Sequence, residues 1–247
     1  MNRSDFIKTL AVGTAGSFLL PAIPQAEEMT GKPVNDVADP SKVVARFVYD
    51  GPGASKRVAL TLDDGPTPRV TESILKDLAD RKAKATFFMI GRRVKEFPAI
   101  AKDVLAAGHE IGNHTYTHPK LAVLSNDRVH AELRKTQTVI GDTLNVYPSW
   151  FRPPYGSFRK SQGAIALDMG LGVAYWSVDT HDWRRQGVDR IVERAVGPAQ
   201  SGSIILGHDL HAMTAEAMPG ILDGLLEKGY TFATLTELLG EPYPDMA

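Results

Sequence analysis

Two carboxylates stand side by side at Asp63 and Asp64, and two imidazoles stand four residues apart at His114 and His118. Arg152, the pair Asp182-Trp183 and His208 follow further along. Neighbouring carboxylates on an extended chain point in different directions, so they can serve two different tasks. Imidazoles at i and i+4 share a face if their segment is a helical turn, and can then grip one divalent ion. No Glu follows His114, so the segment lacks the built-in base of the HExxH zinc proteases. If the histidines hold a catalytic metal, Asp63 and Asp64 are the source of what is missing: one as third ligand, the other as base. The planar fork of Arg152 suits a carboxylate clamp, and the prolines of Phe151-Arg152-Pro153-Pro154-Tyr155-Gly156 stiffen the loop that carries it. Asp182 beside Trp183 offers an orienting carboxylate and an apolar wall. His208 facing a carboxylate is a candidate acid, since its proton lies within reach of neutral pH. Taken singly, each cluster also reads as a polar turn, a helix cap or a satisfied histidine.

The elements that must position these groups alternate. Val58, Leu60 and Leu62 against Ala59 and Thr61 have the two-residue period of a strand, ended by Asp64-Gly65-Pro66. Further strands are predicted at 85–90, 109–113, 149–152, 172–178, 203–206 and 230–233. Helices are predicted at 70–80, 99–107, 127–144, 160–169, 188–196, 215–228 and 235–239. Seven strands, each followed by a helix, imply a parallel sheet covered by helices, doubly wound or closed as a barrel. All five clusters follow the carboxyl ends of strands, where such folds carry their chemistry.

Composition narrows the function. The 247 residues carry 28 Lys+Arg against 29 Asp+Glu, a formal charge of −1, which gives no basic footprint for nucleic acid. With no cysteine, disulfides, thiolate nucleophiles and Cys-based metal sites are excluded, so any metal must rest on His and carboxylates. Residues 1–26 read as an export signal: Arg3 and Lys8, an apolar run over 10–20, then Pro21, Pro24 and Ala26. Ser4 stands where a twin-arginine signal has its second arginine. The run is too short to span a bilayer, so membrane contact is expected only through the signal. Residues 27–56 read as a linker or irregular arm, 57–240 as the domain and 241–247 as a tail.

From about Arg57 to Leu239 the chain resembles the polysaccharide deacetylase family (the NodB-homology domain), with TLDDG, HTYTH, RPPYG, DTHDW and LGH in order. Leu62 replaces the family's usual Phe, and Gly207 a commonly bulkier residue, a change that bears on the acetyl pocket. The resemblance implies an α/β fold, a single-domain distorted (β/α)7 barrel. It implies Asp64, His114 and His118 as ligands of one divalent ion, with zinc the default and cobalt or nickel as substitutes. Asp63 is then the base, steadied by Arg152, and the backbone N–H of Tyr155 meets the oxyanion. His208 is the acid, oriented by Asp182, while Trp183 and Leu206 wall the acetyl methyl and Tyr155 touches substrate. The implied enzyme is an exported bacterial N-deacetylase (periplasmic, cell-envelope or secreted) acting on an acetylated polysaccharide such as peptidoglycan or chitin, with no protein partner evident. An O-acetyl esterase and a catalytically silent carbohydrate-binding module are the alternatives.

Overall fold

The computed structural model describes residues 44–244; the export signal, most of the arm and the end of the tail lie outside them. The first half of the described chain runs β1 (Phe47–Val48), β2 (Arg57–Asp63), α1 (Val70–Asp80), β3 (Ala85–Met89), α2 (Gly91–Glu96), α3 (Pro98–Ala106), β4 (Glu110–Asn113) and α4 (Asn126–Leu144). The second half runs β5 (Trp150–Phe151), α5 (Gly163–Asp168), β6 (Gly172–Ala174), β7 (Val178–Asp179), α6 (Val188–Val196), β8 (Ile204–His208), α7 (Ala212–Glu227), β9 (Thr231–Phe232) and α8 (Leu235–Leu239). The strands form one sheet in the order β1-β6-β5-β4-β3-β2-β8-β7, with β9 beside the start of β2. Every strand pair is parallel.

The pleat of β2 decides what lies inside. Val58, Leu60 and Leu62 join the outer core with Ile74 and Leu78 of α1 and Met218, Ile221 and Leu225 of α7. The alternate residues Ala59, Thr61 and Asp63 therefore face the other way, into the curl of the sheet. Ala59 packs there with Phe88, Trp150, Ala174 and Ile204. Gly112 makes room for this interior, because a Cβ on it would lie 2.4 Å from the Phe88 ring. Helices sit on the outside, and α4 shows the expected stripe: Val129, Leu133, Ile140 and Leu144 are buried, and Asn145 ends the helix in the left-handed conformation.

The seven β/α units match the sequence reading, and the curled parallel sheet fits the distorted barrel. Three differences have physical reasons. Residues 175–177 break the strand expected over 172–178, because its start pairs with β5 and its end with β8. The two halves so bring the sheet round on itself. Phe47 and Val48, read as part of an irregular arm, pair with Val173 and Ala174, so the domain begins earlier than 57. The six-residue α2 was not anticipated; it offers one buried side chain, Val94, too little for a visible period. No helix among the described residues is long and apolar enough to cross a membrane.

Candidate active site

In the β2–β8 ladder Asp63 is the register partner of His208, as Thr61 is of Leu206. Register partners in parallel strands share a face, so the two strand ends deliver a carboxylate and an imidazole side by side. Arg152, at the end of β5, is wholly buried beneath Asp63. Its Nη1 donates to Asp63 Oδ1 at 2.9 Å and to Thr61 Oγ1 at 2.7 Å. Nε and Nη2 donate to the carbonyls of Ala174 and Tyr175, and the guanidinium lies 4.3 Å from the Phe88 ring centre. Burial pushes the guanidinium pKa down and the Asp63 charge pushes back. Four of the five N–H groups of the fork find acceptors, so the arginine fixes Asp63 in position.

Asp64 follows in a turn with φ 78°, which swings its carboxylate away from Asp63. Its Oδ1 lies 3.2 Å from His118 Nε2 and 3.5 Å from His114 Nε2. The two histidines do not lie on a helical turn, contrary to the sequence expectation. Thr115 and His118 take positive φ, of 64° and 63°, and residues 114–120 form a loop. Side chains replace the missing helical ladder: Asn113 accepts the Thr115 N–H, and Glu132 accepts those of Tyr116 and Thr117. The imidazoles converge all the same. His114 Nδ1 donates to the Arg152 carbonyl at 2.8 Å, which leaves Nε2 as a lone pair facing Asp64.

One donor atom from each of Asp64, His114 and His118 falls within 4.8 Å of the others. Asp64 Oδ1 is buried with no hydrogen-bond partner, an orphan that a cation would satisfy. Burial alone would raise the Asp64 pKa, but the two imidazoles overcome it and hold the carboxyl far below its usual range. Burial, and then the proximity of His114, bring His118 down to about 4, so its ring is neutral at physiological pH. One carboxylate oxygen and two imidazole nitrogens fit a divalent metal ion.

On the other side of the cleft, Asp182 holds His208. Burial disfavours the imidazolium, yet the Asp182 carboxylate raises His208 to about 9. Between these groups opens a cleft of about 480 Å³ lined by Asp63, Asp64, His118, Tyr155, Trp183, Leu206 and His208, among others. Leu206 is buried at its base and Trp183 stands half-exposed at its rim. Tyr155 has φ 60°, and its hydroxyl lies 3.2 Å from His118 Nδ1.

A sequence model of the polysaccharide deacetylase family matches residues 50–174, half of the chain. The chain belongs to the polysaccharide deacetylase family. Among relatives of this chain is the peptidoglycan-N-acetylglucosamine deacetylase PgdA of Listeria monocytogenes, 38% identical over 187 residues, which are 76% of this chain and 40% of that protein. The chain thus spans about two fifths of the length of that relative. A peptidoglycan-N-acetylglucosamine deacetylase of Bacillus cereus is 38% identical over 196 residues, 77% of this chain and 92% of that one. The crystal structure of BA3943, a CE4 family pseudoenzyme from Bacillus anthracis, superposes with a TM-score of 0.77 at 37% identity, covering 81% of this chain and 71% of that one.

Some groups at this deacetylase-family cleft escaped the sequence reading. Trp176, Asp179, Pro153 and His211 also line it. His181 meets Asp179 and Arg194. Thr61 and Thr214 steady Arg152 and Asp182 from beneath. Thr61 had a signal, its inward parity with Asp63; Thr214 had none, because a helix start brings it to Asp182. Gly207, expected to shape the acetyl pocket, does not face it: a Cβ there would touch Leu62, Asp182 and Thr214.

Proposed function

We propose that the chain is a metal-dependent deacetylase that hydrolyses the N-acetyl group of N-acetylhexosamine residues in a glycan, peptidoglycan first among them, and releases acetate. One observation carries the reading: a three-donor cation cradle lies between an arginine-held carboxylate and a carboxylate-held imidazole, all opening on one cleft. A divalent ion on Asp64, His114 and His118, zinc by default for such donors, supplies Lewis acidity for an amide carbonyl and brings the pKa of a water toward neutrality.

Asp63 takes the proton of the attacking water. Arg152 keeps that carboxylate aimed, because Oδ1 is occupied and Oδ2 is left for the proton. The Tyr155 backbone N–H meets the oxygen that turns negative, a contribution of roughly 3 kcal/mol for one such donor. His208 then gives its proton to the departing amine, a poor leaving group unless protonated. Acid and base must be separate groups on two sides of the bond, and the cleft has one on each. Leu206 and Trp183 enclose the methyl group. The signal over residues 1–26 sends the enzyme to the cell envelope, the periplasm or the exterior.

The likeness to a pseudoenzyme favours a second reading, a silent glycan-binding domain on the same scaffold. Acetate release by the metal-loaded protein from N-acetyl-chitooligosaccharides, purified peptidoglycan and acetylated xylan separates the possibilities. Release from the first two supports the N-deacetylase. Release from xylan alone makes the enzyme an O-acetyl esterase, and glycan binding without any release makes it a binding module.

A further inference from the structure

The geometry points to a second sugar-binding position outside the cleft, a ledge formed by Tyr49 and Tyr175 that takes a pyranose ring of the same glycan at least two residues away from the one in the cleft. This rests on the glycan reading above. Val48 and Ala174 are register partners in parallel strands, so Tyr49 and Tyr175 emerge together from the carboxyl ends of β1 and β6. That is the rim on which the cleft opens. Their rings stack at 4.7 Å with an interplanar angle of 10°. Tyr49 is 52% exposed, so one face lies on Tyr175 and the other is open to solvent.

The ledge is continuous with the cleft. Trp176, which lines the cleft, has its ring centre 6.3 Å from that of Tyr175. Between ledge and cleft lies Gly156, with φ 63°, next to Tyr155. A Cβ there would stand 3.3 Å from the Trp176 ring and 3.7 Å from that of Tyr175, so glycine keeps the saddle between them low. Tyr175 packs partly against the core beside Phe151 and Val173, while Tyr49 stands exposed on top of it, and the amphipathic faces of a pyranose suit a tyrosine with a polar tip. A polymer held at the cleft by one residue would cross Gly156 and lay another on Tyr49.

The test uses the full metal-loaded protein with a dimer and a pentamer of β-1,4-linked N-acetylglucosamine. Tyr49→Ala should raise KM for the pentamer about five-fold and leave kcat and the dimer unchanged. Tyr49→Phe should behave as wild type. Equal shifts for dimer and pentamer, no shift for either, or equal losses in Ala and Phe variants would overturn the ledge. A change of mass in solution without a change in glycan binding would give the surface to a second copy of the chain and overturn it too. Calorimetric binding of the pentamer separates this from the activity reading. Should wild type release no acetate, pentamer binding weakened by Tyr49→Ala still supports the ledge, and binding indifferent to it refutes the ledge.

Discussion

Asp182 grips His208 twice: Oδ1 lies 2.7 Å from Nδ1, and Oδ2 accepts the His208 backbone N–H at 2.7 Å. Thr214 donates to the same Oδ2 at 2.7 Å, and the Trp183 N–H to Oδ1 at 2.9 Å. The carboxylate is fully buried with every lone pair engaged, so the imidazole has one orientation and presents Nε2 to the cleft.

This pair sets a pH dependence. His208 stays protonated until about pH 9, so the alkaline limb of kcat/KM should lie near there. Asp182→Asn should move that limb down toward the ordinary histidine value of about 6.5 and lower activity at neutral pH. The folded pKa is raised, so the pair's contribution to stability is full below about pH 6.5 and fades as pH climbs through 9. Urea melts of wild type and Asp182→Asn across that window should converge at the alkaline end.

Removing metal should abolish turnover, and adding a divalent ion back should restore it. Asp63→Asn should still bind metal while kcat falls by about 10²-fold or more. His114→Ala should lose both, because it deletes a donor atom. Metal titration beside acetate release reads the two effects separately. Substantial activity in Asp63→Asn would remove that residue from the base role.

Arg152→Met should destabilise the fold by about 3 kcal/mol or more, since it leaves Asp63 buried without a counter-charge. The midpoint of urea unfolding reads this. The double variant Arg152→Met with Asp63→Asn should recover part of the loss, which distinguishes an unpaired charge from a packing defect.

Asp209 lies fully buried against the turn that carries Asp64, and burial pushes its carboxyl up to about 7. A pKa raised on folding favours the folded state below about 3.8, and that contribution is lost as pH rises through about 7. Asn has no such slope and keeps an acceptor for Thr71, so Asp209→Asn should gain on wild type between about pH 4 and 7. Gly65→Ala should lower the melting temperature and weaken metal binding, because its Cβ would lie 1.9 Å from Asp209 Oδ2.

Much of this was legible in the sequence because it depends on parity and order. The alternation of Val58, Leu60 and Leu62 told which way Asp63 points, and the succession of strands and helices put all five clusters at one rim. What escaped depends on local backbone choices that residue types do not announce. Thr115 and His118 adopt positive φ without being glycine, in a loop held by Asn113 just before it and by Glu132 from α4. The break after Ala174 was hidden because Tyr175 and Trp176 are as suited to a strand as Val173. Asp209 was invisible for a third reason: a carboxylate beside a probable acid looks solvated until a neighbouring turn is seen to cover it.

The Arg152 fork takes two of its acceptors from the carbonyls at the break between β6 and β7, and another from Asp63 on the strand across the interior. The stitch that closes the protein's circumference is therefore also what arms its reagent. A half-assembled chain, whose last strands have yet to dock, presents a loose carboxylate and no aimed one. Competence arrives together with completion.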